Sequence, residues 1–446
     1  MSFKIAGAEV THLTHDSRTV RAGSCFFALS GGTANGTMYV RNAIAKGAAV
    51  IVTGEKLDEP VPQLVVPNVR EFMALASKRF HGDVCDKMEI IAVVGTNGKT
   101  TCAHILKHIL GNKAETIGTL GPGNLTTPDP IELHAIFADM YLRGVRHVVI
   151  EVSAHAIHYC KVAGINFRTA IFTNISQDHL DFFGTMEKYA QTKVGFFGSA
   201  VQTAVVNADD PYGREIIAAH PNALKYSLVD AKGLKLAPVG SAFQYNGHRF
   251  NLNMAGQFNV YNALACILVA WDLGVRFTKI KRALKTLPPV PGRFNTFKTK
   301  SGATAIIDFA HTPDGLEKIL ASVREITAKD AKVICVFGCG GNRDKTKREI
   351  MGSIAARHSD FVVITSDNPR DEAPRAIMLQ IEAGVKASTD KYCLKEKRDE
   401  AVKYALEMAQ HGDMVVIAGK GAETTQEIAG KFIPYTDEHI VRQYTK

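Results

Sequence analysis

The sequence predicts an α/β protein, and three observations support this fold class. Short apolar runs rich in β-branched residues alternate with helix-like segments, a pattern typical of parallel sheets covered on both faces. Two such series follow one another along the chain, separated by a proline-rich segment. The length of 446 residues corresponds to about three domains. We therefore expect a small mixed α/β domain at the N-terminus, a central parallel sheet and a C-terminal Rossmann-like α/β domain.

The first predicted domain spans residues 1–87 and is the smallest. Apolar runs at 25–29 and 49–52 predict two of its strands. The second domain, 88–292, contains the first of the two series of apolar runs. These runs predict strands at 90–94, 148–152, 169–174 and 203–207.

A proline-rich segment marks the start of the third domain, which spans residues 293–446. Pro288, Pro289 and Pro291 end the preceding helix and stiffen the connection. In the third domain the apolar runs predict strands at 303–308, 333–337, 361–365 and 414–418, and helices at 315–327 and 374–387.

A glycine-rich run lies between the predicted strand 90–94 and a helix-like segment. Glycines let the backbone fold back and direct N–H groups at phosphate oxygens, and a helix start favours negative charge. Lys99 would neutralise the β- and γ-phosphates, and Thr100 would offer its hydroxyl to Mg²⁺. Val93 stands where the full phosphate-loop pattern has its first glycine. We predict a phosphate cradle, as in P-loop ATPases, formed by Gly95, Thr96, Asn97, Gly98, Lys99, Thr100 and Thr101.

Polar residues follow the predicted strands of the central domain, at the edge where parallel sheets bind ligands. Glu151 could ligate Mg²⁺ held by the phosphates, or it could be a solvated loop acid. His179 could be a metal ligand or a general base, or it could pack beside a helix-capping Asp178. Lys193, taken alone, is typical of a surface lysine on a helix.

Similar residues follow the strands of the third domain. Asp308 could accept hydrogen bonds from ribose hydroxyls, and the run beginning at Thr312 is also typical of a helix start. Arg343 and Arg370 with Asn368 would suit a ligand that carries carboxylates, because a guanidinium matches a carboxylate in two bonds. By itself, Asn368-Pro369 is more typical of a plain turn.

Zinc is disfavoured as the metal of this domain. Cys335, Cys339 and His311 would need a fourth ligand and the normal spacing of a zinc site, and both are missing.

The formal net charge is +9, but the basic residues are spread along the chain and lack the aromatic platforms of a single-strand binder. An anionic small-molecule substrate would explain the excess of basic residues, so we do not expect nucleic acid as a partner. No apolar run reaches the roughly 20 residues of a membrane span, and no signal-like segment follows the first residues. We therefore expect a cytoplasmic protein. The eight scattered cysteines form no CxxC pair, and we expect them to be reduced core residues.

Ordered motifs along nearly the full length resemble the Mur ligase family, and within it the tripeptide synthetases of peptidoglycan synthesis. These motifs occupy residues 14–18, 95–101, 126–130, 151–155, 173–181, 256–262, 290–293, 308–314, 337–348 and 367–370. The resemblance implies an ATP- and Mg²⁺-dependent amide-bond ligase. Such an enzyme would add meso-diaminopimelate to UDP-N-acetylmuramoyl-L-alanyl-D-glutamate through an acyl phosphate.

The resemblance also implies residue roles. Lys99, Thr100, Glu151 and His179 would hold the nucleotide and Mg²⁺, and Lys193 would be carbamylated and support a second Mg²⁺. Asn262, Asp308 and Arg293 would contact adenine, ribose and phosphate. Ser17 and Arg18 would bind the uridine nucleotide. The muramoyl-dipeptide would contact Thr126, Thr127, Ser153 and Lys161. The acceptor amino acid would lie among Arg343, Asn368, Arg370, Gly419 and Glu423.

Three departures from the family pattern accompany these matches. Asn35-Gly36-Thr37 stands where relatives usually have Asp-Gly-His, Tyr159-Cys160-Lys161 replaces Gln-x-Arg, and Ala422 replaces a histidine. Alternative functions are the same reaction with L-lysine or another diamino acid, another ligase of the superfamily, or an inactive nucleotide-binding regulatory protein. We expect a monomer.

Overall fold

A computed structural model describes residues 3–31, 35–121, 125–237 and 239–445. The chain divides into two compact units, each built from several segments. The first consists of Met1–Val94, Leu110–Ile171 and Gly195–Ala204, and the second of Gly95–Ile109, Phe172–Val194 and Val205–Lys446. The α/β class is confirmed, and the three-domain boundaries at 87/88 and 292/293 stay a prediction.

The N-terminal region forms a two-stranded antiparallel sheet and a four-stranded parallel sheet of order β3-β4-β5-β6. A buried cluster that includes Cys25, Phe27, Val50 and Met73 packs between the parallel sheet and the second helix. The predicted strands at 25–29 and 49–52 correspond to β4 and β5. The elements are β1 (Phe3–Ile5), β2 (Ala8–Val10), β3 (His12–Thr14), β4 (Ser24–Phe27), α1 (Val40–Ala45), β5 (Ala48–Thr53), β6 (Gln63–Val65) and α2 (Val69–Phe80), with 3₁₀ turns at Gly36–Tyr39 and Val84–Lys87.

The central region contains the first series of apolar runs as buried strands. Its elements are β7 (Glu89–Val94), α3 (Lys99–Leu110), β8 (Ala114–Ile117), α4 (Pro130–Leu142), β9 (His147–Val152), α5 (Ala154–His158), β10 (Phe167–Phe172), α6 (Leu180–Phe183), α7 (Met186–Val194), β11 (Val201–Asn207), α8 (Pro211–Ala219), β12 (Leu224–Tyr226), β13 (Lys232–Ala237), β14 (Gly240–Tyr245), β15 (His248–Leu252), α9 (Gln257–Asp272) and α10 (Phe277–Lys285). Leu228–Asp230 forms a 3₁₀ turn, and β13, β14 and β15 form a separate antiparallel sheet.

The main central sheet has the order β12-β11-β10-β7-β9-β8. Strands β7, β8 and β9 pair in parallel, as do β11 and β12. The next two strands of the chain, β8 and β9, lie on one side of β7, and the later strands β10, β11 and β12 lie on its other side. Strand β7 is therefore at a topological switch point. Ligands bind beyond the carboxyl ends of strands at such points, and the glycine-rich loop follows β7 directly.

The C-terminal region forms a six-stranded sheet of order β16-β17-β21-β18-β19-β20. Strand β16 is an antiparallel edge, and the other neighbours pair in parallel. Buried clusters cover both faces. The elements are β16 (Asn295–Lys298), β17 (Thr304–Asp308), α11 (Pro313–Ile326), β18 (Val333–Phe337), α12 (Lys347–His358), β19 (Phe361–Ile364), α13 (Pro374–Lys386), β20 (Tyr392–Leu394), α14 (Arg398–Met408), β21 (Met414–Ala418), β22 (Thr425–Ile428), β23 (Lys431–Pro434) and α15 (Asp437–Gln443).

The predicted strands of the two series match the observed strands to within two residues at each end. The largest difference is at 169–174, where β10 ends at Phe172. The next two residues turn toward the phosphate loop instead: Thr173 Oγ1 donates to Asn97 O at 2.7 Å, and Asn174 O accepts from Thr96 N at 2.8 Å. In the described part of the chain, no helix combines the length and the apolarity needed to cross a bilayer.

Candidate active site

The glycine-rich loop joins β7 to α3 and has the backbone that a phosphate cradle needs. Gly98 adopts φ +90°, a left-handed conformation, and a Cβ atom there would lie 2.5 Å from Asn262 Oδ1. Glycine is therefore required on both conformational and steric grounds. Helix α3 begins at Lys99, so its first N–H groups border the loop.

Lys99 is directed back onto its own loop. Its Nζ atom donates to the carbonyl oxygens of Gly95 and Thr96, both at 2.8 Å. Thr100 and Thr101 follow in the first turn of α3 and are buried. Thr100 Oγ1 accepts from Arg293 at 3.2 Å, which brings a guanidinium to the hydroxyl predicted to ligate Mg²⁺.

Lys193 is not the surface lysine that its sequence context alone would suggest. Its side chain is buried on α7, and Nζ donates to Tyr189 Oη and to Thr96 Oγ1 at 3.3 Å. The same Nζ lies 4.1 Å from the centre of the Tyr189 ring. Burial, assisted by the nearby charge of Lys99, holds the pKa of Lys193 well below its usual value. The lowered pKa favours the neutral form of the amine.

His179 immediately precedes α6 and adopts a left-handed conformation with φ +54°. Asp178 does not cap this helix, so the helix-capping alternative is wrong: its Oδ1 accepts from the backbone N–H of His179, and its Oδ2 lies 3.3 Å from His179 Nε2. Although burial alone would raise the pKa of Asp178, the nearby charges of His311, His179 and Lys347 outweigh it and lower that pKa. An ionised acid thus orients the imidazole.

The residues predicted to contact adenine, ribose and phosphate lie close to the loop or to each other. Buried Asn262 accepts a weak hydrogen bond from Cys102 Sγ at 3.5 Å and faces Gly98. Arg293 lies 4.3 Å over the ring of Phe309. Asp308 accepts the backbone N–H of Phe294 and of Ala310, both at 2.8 Å, and burial raises its pKa.

The chain after Asp308 adopts the predicted helix start. Thr312 caps α11 by accepting from Gly315 N, and Pro313 is the first helical residue. This structural interpretation of the motif is confirmed, while contact of Asp308 with ribose stays a prediction.

In the other compact unit, Glu151 lies within β9 and is 2% exposed, so it is not a solvated loop acid. Its Oε1 accepts from Thr119 N at 2.9 Å, and its Oε2 accepts from Thr119 Oγ1 at 3.4 Å. The Glu151 carbonyl accepts from Thr127 Oγ1 at 2.8 Å. These bonds fix a carboxylate, a hard-oxygen group of the kind that Mg²⁺ prefers.

The residues predicted to contact the dipeptide cluster around Thr127. Its Oγ1 lies 3.4 Å from Ser153 Oγ, and Lys161 Nζ donates to its carbonyl at 3.3 Å and to Asp129 Oδ1 at 2.8 Å. Thr126 Oγ1 lies 3.4 Å from that of Thr119. The ammonium of Lys161 is thus already paired with a carboxylate.

The residues predicted to bind uridine lie in the N-terminal region. The Arg18 guanidinium pairs with Asp16 at 2.8 Å and is 87% exposed, and this hydrogen bonding lowers the pKa of Asp16 to about 2. The Ser17 carbonyl accepts from Lys46 Nζ at 3.0 Å. Asn35, one of the departures, caps the 3₁₀ turn by accepting from Thr37 N at 3.1 Å.

Two predicted acceptor residues flank one glycine in the loop after β18. A Cβ atom on Gly340 would lie 3.0 Å from an Arg370 guanidinium nitrogen and 3.7 Å from Arg343 Cγ. Arg370 donates to Gly341 O at 2.8 Å and pairs with Glu427 at 2.9 Å. Its own φ of +51° belongs to the strained left-handed region, which is common where function constrains the backbone.

The remaining acceptor residues form a second cluster at the ends of β19 and β21. Asn368 Nδ2 donates to Glu423 at 2.9 Å, and buried Lys420 donates to Asn368 Oδ1 at 2.9 Å and to Glu423 at 2.7 Å. Gly419 precedes this lysine at φ +113°. Asn368 is therefore part of a polar network, although Asn368-Pro369 alone would suggest only a turn.

Sequence reasoning missed several residues of these clusters. Neither Tyr189 nor Thr119 carries a sequence signal of its own. Lys420 could have been found from its position just after β21, because polar residues near the ends of parallel strands commonly line sites. Glu427 lies in the hairpin strand β22 and had no such signal.

Zinc and magnesium require different protein donors. In residues 3–31, 35–121, 125–237 and 239–445, no three His, Cys, Asp or Glu side chains form a group that could hold a metal. Cys335 and Cys339 are buried, and burial raises the pKa of both thiols to about 12. Magnesium needs few protein ligands because it keeps water and phosphate oxygens.

Family models match three consecutive stretches of the chain. The Mur ligase family catalytic domain matches residues 9–81, the Mur ligase middle domain 93–270, and the Mur ligase glutamate ligase domain 292–421.

Similar proteins cover almost the whole chain. A UDP-N-acetylmuramoyl-L-alanyl-D-glutamate–2,6-diaminopimelate ligase of Geobacillus thermodenitrificans is 39% identical, over 98% of this chain and 95% of the relative. A ligase with the same name from Coxiella burnetii is 38% identical, over 95% of this chain and 93% of the relative.

Solved structures agree with this likeness. A structure of a ligase of that name has a TM-score of 0.70 at 31% identity and covers 98% of this chain and 94% of its own. MurF ligase from Thermotoga maritima, solved with ADP, has a TM-score of 0.67 at 22% identity, covering 97% and 96%, and so supports the fold. The predicted resemblance is confirmed: the chain belongs to the Mur ligase family.

Proposed function

We propose that this chain is an ATP-dependent amide-bond ligase that adds meso-diaminopimelate to UDP-N-acetylmuramoyl-L-alanyl-D-glutamate. One observation carries the choice of acceptor: Arg343 and Arg370 flank Gly340, close to a network that contains Asn368 and Glu423. Diaminopimelate has a second amino-acid end, whose carboxylate gives an arginine fork a partner that L-lysine lacks. Relatives named for this reaction match nearly the whole chain.

In the first half-reaction, a carboxylate oxygen of the D-glutamyl end attacks the γ-phosphorus of ATP. The bond between that phosphorus and the ADP oxygen breaks, which yields an acyl phosphate and ADP. Lys99 and the N–H groups at the start of α3 stabilise the negative charge of the transferred phosphoryl group. Arg293, which donates to Thr100 at the start of the same helix, adds a positive charge there. Phosphoryl transfer needs such positioning more than covalent catalysis.

Lys193 prepares the site by forming a carbamate. Burial lowers the pKa of its amine and so favours the neutral form, which attacks CO₂; an N–C bond forms as one C=O π bond opens, and one N–H proton leaves to solvent, so that a neutral amine becomes an anionic carbamate. Thr100, His179 and the Lys193 carbamate would hold Mg²⁺, and the resemblance implies the same role for Glu151. When bound, Mg²⁺ neutralises charge on the transferring phosphoryl group.

In the second half-reaction, the acceptor amine attacks the acyl carbon. A tetrahedral intermediate forms, the C–O bond to phosphate breaks, and the nitrogen loses a proton. In this proposal Arg370 and Arg343 hold the distal carboxylate, and the Glu423 carboxylate, which accepts from Asn368 and Lys420, also accepts from the distal ammonium. These contacts orient the amine toward the acyl phosphate.

The experiment is phosphate release with ATP, Mg²⁺ and UDP-N-acetylmuramoyl-L-alanyl-D-glutamate, with product masses checked. Reactions receive meso-diaminopimelate, L-lysine or no amino acid. Turnover with diaminopimelate alone supports the proposal. Turnover with L-lysine alone would reassign the acceptor, and no turnover with either would favour a nucleotide-binding regulatory protein.

We place the reaction in the cytoplasm, where ATP is available and thiols stay reduced. All eight cysteines are free, and six are buried. We also propose that the ligase is a monomer. Light scattering coupled to size exclusion tests this point.

A further inference from the structure

A buried ion pair in the C-terminal region has no role in the chemistry described so far. Arg398, the first residue of α14, pairs with Asp437, the first residue of α15. Two parallel hydrogen bonds of 2.8 Å join Nε to Oδ1 and an NH2 nitrogen to Oδ2, and both side chains are 0% exposed. Desolvating two charges is costly, and a pair of apolar residues would often be at least as stable. Stability alone is therefore a weak reason for this pair.

The same guanidinium also contacts the two chain segments that lead into the acceptor cluster. Its NH2 nitrogen donates to Ala418 O at 3.0 Å, immediately before Gly419. Its NH1 nitrogen lies 3.9 Å from Asp367 Oδ2, immediately before Asn368. Within the described residues, the NH1 nitrogen of Arg398 and Oδ2 of Asp367 are both buried without a hydrogen-bond partner. Each is thus directed at the other across a short gap.

Asp367 and Gly419 pack closely against each other. A Cβ atom on Gly419 would lie 2.6 Å from Asp367 Oδ2, and the φ of +113° already requires glycine. On the far side, Lys420 donates to Asn368 Oδ1. The ends of β19 and β21 are therefore joined both by Arg398 and by the acceptor network.

We propose that Arg398 and Asp437 are positioning residues for the acceptor site: the buried pair fixes the ends of β19 and β21 and so sets the spacing of Asn368 and Gly419. This inference rests on the proposed function. Both side chains are fully buried, so we assign neither of them a contact with substrate. Helix α15 contributes to this role through Asp437. The hydrogen-bond directions of the Arg398 guanidinium are fixed, so this one group can hold the segments at Asp367, Ala418 and Asp437 in place at once.

The test compares Asp437→Asn and Arg398→Lys with the wild-type ligase. Asp437→Asn removes the negative charge and nearly keeps the shape of the side chain. Arg398→Lys keeps the positive charge but removes the two-pronged guanidinium. We expect the KM for diaminopimelate to rise about tenfold in each, with the KM values for ATP and for the UDP-linked dipeptide within about twofold. Glu438→Gln is the matched control: Glu438 is the next residue on α15 and pairs with Arg442 at the surface, so all KM values should stay unchanged.

A second measurement does not depend on the identity of the acceptor. Hydrogen exchange of the free protein should become faster in residues 366–370 and 418–423 of both variants, and stay unchanged in α11. If either variant fails to fold, Tyr435→Phe replaces it, because it removes only the hydroxyl that donates to Asp437 at 2.8 Å. That variant should shift the acceptor KM about twofold in the same direction.

A merely structural pair would lower the active fraction, and thus kcat for every substrate, without changing the acceptor KM. That pattern, or an equal rise of all three KM values, would overturn the inference. Unchanged exchange in both segments would overturn it as well. If the wild-type protein does not use diaminopimelate, the proposed function fails, while the exchange experiment still decides the positioning role.

Discussion

The side-chain amide of Asn97 donates to Asp314 Oδ2 at 2.8 Å, which joins the phosphate loop to the first turn of α11. We expect Asp314→Ala to raise the KM for ATP about threefold to tenfold, because a charge-assisted hydrogen bond contributes about 1.5 kcal/mol. The acceptor KM should not change. Steady-state kinetics with ATP as the varied substrate measures this effect.

Lys318→Ala is the matched control, because Lys318 is the other partner of Asp314, at 2.9 Å, and lies farther along α11. Its ATP kinetics should match the wild type. If both variants changed the KM for ATP equally, the effect would come from α11 in general and not from the contact with the loop.

Lys99→Ala should abolish turnover, with a loss of about a thousandfold or more, because the ammonium at the start of α3 would no longer stabilise the transferred phosphoryl group. Phosphate release and product mass measure the loss. Lys107→Ala is the control, since Lys107 lies on the same helix but is exposed. Near-normal ligation by Lys99→Ala would contradict the assignment of the loop.

Lys193→Ala should also lose turnover, and millimolar formate or acetate should restore part of it by supplying a carboxylate in the vacated space. In the wild type, ¹³C-bicarbonate should give a carbamate signal in the NMR spectrum, because burial lowers the pKa of the amine and so favours its neutral, nucleophilic form. Lys188→Ala, on the same helix α7 but exposed, should retain both the signal and the activity. A wild-type spectrum without a carbamate would remove Lys193 from its proposed role.

Much of the fold was accessible from the sequence because buried parallel strands are continuous β-branched runs. The limits 333–337 and 414–418 coincide with β18 and β21. The hairpin of β22 and β23 was not predicted, because its residues are half-buried or exposed and mix polar with apolar side chains. Short strands of this kind carry little periodic signal.

The candidate site likewise contains residues that the sequence predicts and contacts that it does not predict. Lys99 and Arg370 could be assigned from local motifs. The contact of Lys420 with Asn368 joins residues 52 positions apart in sequence, and it depends on the sheet order that brings β21 near β19. The burial of Arg398 against Asp437 likewise depends on how α14 and α15 pack. Single-sequence patterns carry no information on such distant pairs.

Arg370→Ala should raise the KM for diaminopimelate about tenfold to a hundredfold and leave the KM for ATP unchanged. The reason is that a bidentate partner of the distal carboxylate would be lost. Glu427, which pairs with Arg370 at 2.9 Å, would also be left without that partner. Arg375→Ala, an exposed arginine in the first turn of α13, is the control. An equal loss of affinity for ATP would exclude Arg370 from a specific acceptor role.

Glu372 should make the protein sensitive to acid. Both its oxygens accept from the buried Arg348 at 2.9 Å, and this hydrogen bonding lowers the pKa of Glu372 from 4.5 to about 2. Because the folded-state pKa lies below the unfolded-state value, the stabilisation is present above pH 4.5 and is lost as the pH falls toward 2. Glu372→Gln should therefore cost about 3 kcal/mol at pH 7, since it leaves a buried guanidinium without its charged partner.

The difference between the urea midpoints of the wild type and Glu372→Gln should be largest at neutral pH and shrink as the pH falls below 4.5. Glu317→Gln is the matched control, because Glu317 is 48% exposed and its pairing with Arg357 at 3.4 Å is a surface contact. Its midpoint should differ from the wild type by less than the equivalent of about 0.5 kcal/mol at every pH. A Glu372→Gln difference that stayed constant from pH 7 to pH 3 would show that shape, and not the charge of the carboxylate, stabilises Arg348.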